Sequence, residues 1–194
     1  MGVEMLIAFA LVPVIGTVAS KMDKRKAYII FFLVAAAWLI VFRFLFPVFK
    51  PSPALIIILQ AGCIIGMAAY WQLIDALSYD LVEVVEVNCG RRLEGALASL
   101  QTVLQQAAGS IGMLIWGWGI AAGGFDATAA NQTQEALNSI LNLGTLAPAI
   151  GLILSALCIV AYPISREKFM LVQKALEQKR ATGTYSNEGL ERIL

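Results

Sequence analysis

The chain has 194 residues, a net charge of +1, 59% hydrophobic residues and only 14% charged residues. A soluble domain carries about 25% charged residues, so this composition excludes an ordinary water-soluble domain, and the balanced charge gives no reason to expect a nucleic-acid partner. With no histidine, the commonest general base, proton shuttle and metal ligand is absent as well.

The apolar residues fall into runs long enough to span a bilayer, about 20 residues at ~1.5 Å each. The first runs from Val3 to Ala19 with Pro13 inside it, a kink that neighbouring helices can accommodate in a membrane. The loop SKMDKRK follows, with Lys21, Lys24, Arg25 and Lys26. A second span, Tyr28 to Phe49, carries Arg43 near its far end, where the side chain can snorkel to the interface. Lys50 to Pro53 reads as a tight turn.

The third span, Ala54 to Ala76, holds Gly62 and Gly66 at the spacing that lets helices approach closely. Tyr70 and Trp71 near its end fit an interfacial aromatic belt. A loop from Leu77 to Arg92 is expected next. The fourth span, Leu97 to Gly123, is longer than a hydrocarbon core needs, and its polar beginning belongs in water or in a cavity. The connection from Gly124 to Asn142 is polar and lacks Lys and Arg. The fifth span runs from Leu143 to Tyr162. Residues 166–194 form a charged tail whose Phe169, Val172 and Leu176, with Met170, give one apolar helical face for the membrane or the protein.

The expected architecture is therefore all-α and integral to the membrane, with a five-span bundle over residues 1–165 and a tail over 166–194. Placing the Lys21 loop, the Arg91 loop and the tail on one side gathers twelve of the 14 Lys and Arg residues there. The positive-inside rule then sets the N-terminus outside and the tail in the cytoplasm of a multi-pass cell-membrane protein, with lipid as its first partner. An outside start is natural for the second half of a longer chain.

Two groups of residues could carry function. Asp80, Glu83 and Glu86 are spaced three apart and line one helical face, with Arg91, Arg92 and Glu94 beyond the Gly90 turn. They read either as exposed ion pairs worth ~0–1 kcal/mol each or as a charge network that clamps a cytoplasmic gate. In the fourth span, Ser99, Thr102, Gln106, Gly109 and Ser110 form one stripe, with Gln105 at its edge and Gln101 further round. Such side chains avoid lipid and face the bundle interior. They suit either the hydroxyls of a sugar, which need partners that donate and accept, or interhelical hydrogen bonds, often ~0.6 kcal/mol each. Gly112, Gly117, Gly119 and Gly123 read as close-packing points. No metal site is expected from Cys63, Cys89 and Cys158, and an enzyme would want a nucleophile–base set or metal cluster that is not found.

The run Asp80-x-x-Glu83-x-x-Glu86-x-x-x-Gly90-Arg91-Arg92-x-Glu94-Gly95 resembles the cytoplasmic-loop signature of the glycoside–pentoside–hexuronide cation symporters, the family of the melibiose permeases, D-x-x-D-Y-G-E-x-x-x-G-x-R-x-E-G. The SKMDKRK loop looks like that family's basic loop between helices eight and nine, and the resemblance covers nearly all of the chain as helices eight to twelve of a major facilitator fold. It implies sugar transport coupled to Na⁺, H⁺ or Li⁺ by alternating access. It also implies a partner in the first half of the carrier, which holds the cation-binding acids and most of the sugar-binding residues. Glu83 replaces an aspartate here, Val84-Val85 replace Tyr-Gly, and Gln106 stands where many members have a lysine. The other reading is a small accessory membrane protein that stabilises a partner.

Overall fold

The computed structural model describes residues 2–48, 52–129, 131–184 and 190. Among the described residues six α-helices follow one another: α1 (Gly2–Lys21), α2 (Lys24–Leu45), α3 (Pro53–Cys89), α4 (Glu94–Ala122), α5 (Gln134–Val160) and α6 (Arg166–Thr182), with a 3₁₀ turn at Phe46–Val48. The expected turn at Lys50–Pro53 and the basic Arg192 lie wholly or partly outside the described residues.

Helix starts are written in local chemistry. Asp23, Ser52, Thr133 and Ser165 precede α2, α3, α5 and α6, and each accepts a hydrogen bond from a first-turn amide, which satisfies a donor that a helix start leaves orphaned. Thr133 also explains why α5 begins nine residues before the expected Leu143: a threonine cap followed by Glu135 in the first turn favours starting there.

The expected loop from Leu77 to Arg92 does not exist as a loop. α3 runs unbroken for 37 residues to Cys89, and Gly90 then turns the chain at φ 67°. No Gly or Pro occurs between Gly66 and Gly90, so nothing breaks the helix before a residue that enters the left-handed region without a Cβ clash. The acidic ladder is thus an extension of the third apolar helix, not a separate surface helix.

The core is shared by α1, α2, α3 and α5. Ile15, Tyr28, Phe32, Leu73, Leu77 and Ala156 form one buried cluster, and Ala36, Leu39 and Ala149 a second. Gly62 and Gly66 make this packing close: a Cβ on Gly62 would collide with the Trp38 ring, and one on Gly66 would meet Leu152 and Ala35 at 3.2 and 3.3 Å. On α4 the glycines divide. Gly119 and Gly123 abut Leu143 and Ser139, whereas Gly112 and Gly117 face open space and are not packing points within this chain.

Among the described residues three helices, 24–48, 54–89 and 134–160, are both long and apolar enough to cross a membrane. The apolar stretch of α1, Leu6–Lys21, is shorter. α4 has the length, with 29 residues, but its glutamines and hydroxyls dilute its apolarity, and none of its residues is buried. α6 lies on the protein. Val172, Ala175 and Leu176 are buried against Val84, Val87 and Ile164, with Phe169 packed beside them, while Met170 is exposed.

Candidate functional site

α1, α3 and α5 end where α2, α4 and α6 begin, and most of the basic residues gather at that end, Arg43 being at the other end of α2. There the acidic ladder finds its partners. The Asp80 carboxylate accepts two hydrogen bonds from Lys24 Nζ at 2.7 and 3.0 Å, and the same ammonium reaches the Ala76 carbonyl at 3.4 Å. Lys24 also lies 5.3 Å from the centre of the Phe169 ring. Two turns on, Glu86 accepts from Arg180 Nη2 at 2.6 Å and Nε at 3.2 Å. The Glu86 carboxylate strengthens the hold of Arg180 on its proton, raising a pKa that is already high. Glu83 Oε2, between them, is buried with no hydrogen-bond partner among the described residues.

The six charged residues expected to form one network therefore divide. Asp80 is tied to α2, Glu86 to α6, and Arg92 to Glu94 at 3.0 Å on an exposed turn. Arg91 and Arg92 do not reach the ladder among the described contacts, because Gly90 reverses the chain before them. Lys24 and Arg180 are the partners that sequence reasoning missed. Lys24 was visible only as one of four basic residues in a loop, and Arg180 as part of a charged tail. A cavity of about 420 Å³ lies beside the Lys24–Asp80 pair, with Asp23, Arg166, Phe169 and Gln173 in its wall.

α4 presents two polar faces. The inner one is a seam with α3: Ser78 Oγ donates to Gln101 Oε1 at 2.8 Å, Gln101 Nε2 to Asp75 at 3.4 Å, and Gln105 Nε2 to the Tyr70 hydroxyl at 2.8 Å. Gln105 thus turns away from the expected stripe. The outer face holds the rest of that stripe. Ser99, Thr102 and Ser110 donate to the carbonyls of Gly95, Ala98 and Gln106, four residues back along α4, and Gln106 is exposed. Each hydroxyl keeps its acceptor lone pairs and Gln106 its whole amide, so this face can hydrogen-bond a polar solute or another helix. Asp75, Glu94 and Gln101 border a small cavity of about 200 Å³ at the start of the seam. Among the described residues no group of His, Cys, Asp and Glu could hold a metal ion.

An all-helical chain with three helices fit to cross a membrane, an unburied polar face and a charge-paired end is a multi-pass membrane protein. Within that class, the model of the family described as MFS/sugar transport protein matches residues 1–166, and the chain belongs to this family of sugar transport proteins of the major facilitator superfamily. No curated protein matches the chain, and no solved structure does.

Proposed function

We propose that this chain forms the later part of a carrier of the melibiose-permease type, which moves a sugar together with Na⁺, H⁺ or Li⁺ across the cell membrane by alternating access. In this reading α1 to α5 are its five spans, the basic end lies in the cytoplasm, and residues before the first span contact the outer face of α4. Ser99, Thr102 and Gln106 line the sugar pathway, while Gln105 holds the α3–α4 seam. The ladder end of α3 is the cytoplasmic gate.

The observation that carries the reading, within a family of sugar transporters, is where the ladder's ion pairs fall. Lys24–Asp80 joins α2 to α3, and Arg180–Glu86 joins α6 to α3. Pairs that bridge separate helices can break and re-form as those helices move. Pairs within one helix cannot report such motion.

The test is transport in vesicles. The 194-residue polypeptide alone is expected to show no sugar-driven cation uptake, and the product of the full reading frame with its preceding spans is expected to show it. Uptake by the short chain alone would remove the half-carrier reading. Uptake of sugar unaffected by Na⁺, Li⁺ or a proton gradient would remove symport. In the active protein, reversing Lys24 and Arg180, which pair with the ladder, should change turnover more than substrate affinity, as a gate rather than a pocket requires.

A further inference from the structure

A groove of about 540 Å³ between the first turns of α2 and α6 takes no part in that reading. Arg25, Lys26 and Arg166 line it, against Asp23 and Glu167, with Ile29 at its apolar edge and Ser165, the α6 cap, in its wall. The Asp23 carboxylate is already committed to backbone amides. It accepts from Arg25 N at 3.1 Å and from Arg166 N at 3.4 Å, so it caps the starts of both helices. Arg25 donates to the Val160 carbonyl through Nη2, and Arg166 to the Ser20 carbonyl through Nη1 at 3.4 Å. Each guanidinium has five N–H donors, so most remain for a ligand. Lys26 is exposed and makes no hydrogen bond or ion pair among the described residues.

The surface continuing from the groove selects among anions. Lys26 shares one face of α2 with Ile30, Leu33, Val34 and Val41, at helical offsets of four, seven, eight and fifteen residues. Those four apolar residues are all exposed. The groove therefore offers cations at its head and an uncovered aliphatic strip leading away along a helix fit to cross a membrane. A small soluble anion has no use for the strip.

We propose that this groove seats the headgroup of an anionic phospholipid, with an acyl chain lying along Ile30, Leu33, Val34 and Val41. Basic pockets at the cytoplasmic ends of spans take such headgroups through the surface charge of Lys and Arg. The salt dependence of an open site of this kind is strong.

The probe is a fluorescent phosphatidylglycerol, with the matching phosphatidylcholine as reference, bound to the detergent-purified full chain and read by anisotropy. Wild-type protein is expected to prefer phosphatidylglycerol. Lys26→Gln should weaken that preference by about five-fold and Lys26→Gln with Arg166→Gln by about twenty-five-fold, while Lys174→Gln, on α6 away from the groove, leaves it unchanged. Arg166 has a structural hydrogen bond and Lys26 has none, so Lys26→Glu is the variant that decides if the double variant fails to fold. An unchanged preference in Lys26→Glu, or none in the wild type, overturns the site. Displacement of the lipid by millimolar inorganic phosphate or glycerol phosphate overturns the lipid in favour of a soluble anion.

Discussion

The Lys24–Asp80 pair invites a double-mutant cycle. Asp80 is 6% exposed and the Lys24 side chain 38% exposed, with their charged atoms 2.7 Å apart. At an effective dielectric constant of about 20, unit charges at that distance attract by ~6 kcal/mol. Withdrawing the carboxylate from water offsets most of this, and the half-exposed ammonium is partly screened. A net coupling of ~1–3 kcal/mol remains. Lys24→Met should be the costlier single change, ~2–4 kcal/mol, because it strands a buried carboxylate. Asp80→Asn should cost ~1–2 kcal/mol, since the amide still accepts a hydrogen bond and Lys24 can turn to water. The double variant should be more stable than the sum of the two predicts. The assay is denaturant unfolding in a fixed detergent, followed by intrinsic fluorescence. Additivity to within ~0.5 kcal/mol would show that the two charges do not hold α2 to α3.

Val172 is fully buried against α3, so Val172→Asp should cost at least ~3 kcal/mol and free α6 for tryptic cleavage at Lys174, Lys179 and Arg180; an unchanged digest would mean that α6 does not depend on this packing. Gly62→Ala should destabilise by ~1–3 kcal/mol through the Trp38 ring and Gly112→Ala should be neutral or slightly stabilising, an ordering that thermal unfolding of both variants checks. Gln105→Leu should lose ~1 kcal/mol of stability with its Tyr70 bond, while Gln106→Leu should leave stability alone and reduce sugar transport by the full carrier; the reverse pattern would exchange their roles. Asp126 accepts from the Thr128 hydroxyl at 2.7 Å and amide at 2.8 Å, which holds its carboxyl below the usual range. A lowered folded-state pKa contributes stability above the ordinary carboxylate range and loses it as pH falls through the lowered value. Thr128→Val should move the Asp126 midpoint upward in a carbon NMR titration, and an unmoved midpoint would disprove the hydroxyl's part.

Composition and run length made the helices of this chain legible, because a bilayer demands long apolar stretches and little else mimics them. The close contacts at Gly62 and Gly66 were legible for a related reason: their spacing has one strong use. Spacing three apart placed Asp80, Glu83 and Glu86 on one face, but no periodicity reveals what lies across from that face. Lys24 is 56 positions away from Asp80, and Arg180 is 94 from Glu86. A rise in charge does not end a helix: α3 continues past Ala76 to Cys89 because it meets no breaker before Gly90. The two glutamines 105 and 106 look alike in sequence, yet 100° of rotation gives one to Tyr70 and leaves the other open.

The cations at the charged end also act as fasteners. Arg166 grips the Ser20 carbonyl at the end of α1, Lys179 the Val87 carbonyl at the end of α3 and Arg25 the Val160 carbonyl at the end of α5, each reaching across from a different stretch of chain to a helix end that carries partial negative charge. The positive-inside rule counts such residues as an address for insertion; here the same three side chains also act as rivets. Removing any one of the three would blur two experiments at once, since a chain that inserts backwards and a chain that inserts correctly but comes apart at that seam both lose function from the same substitution.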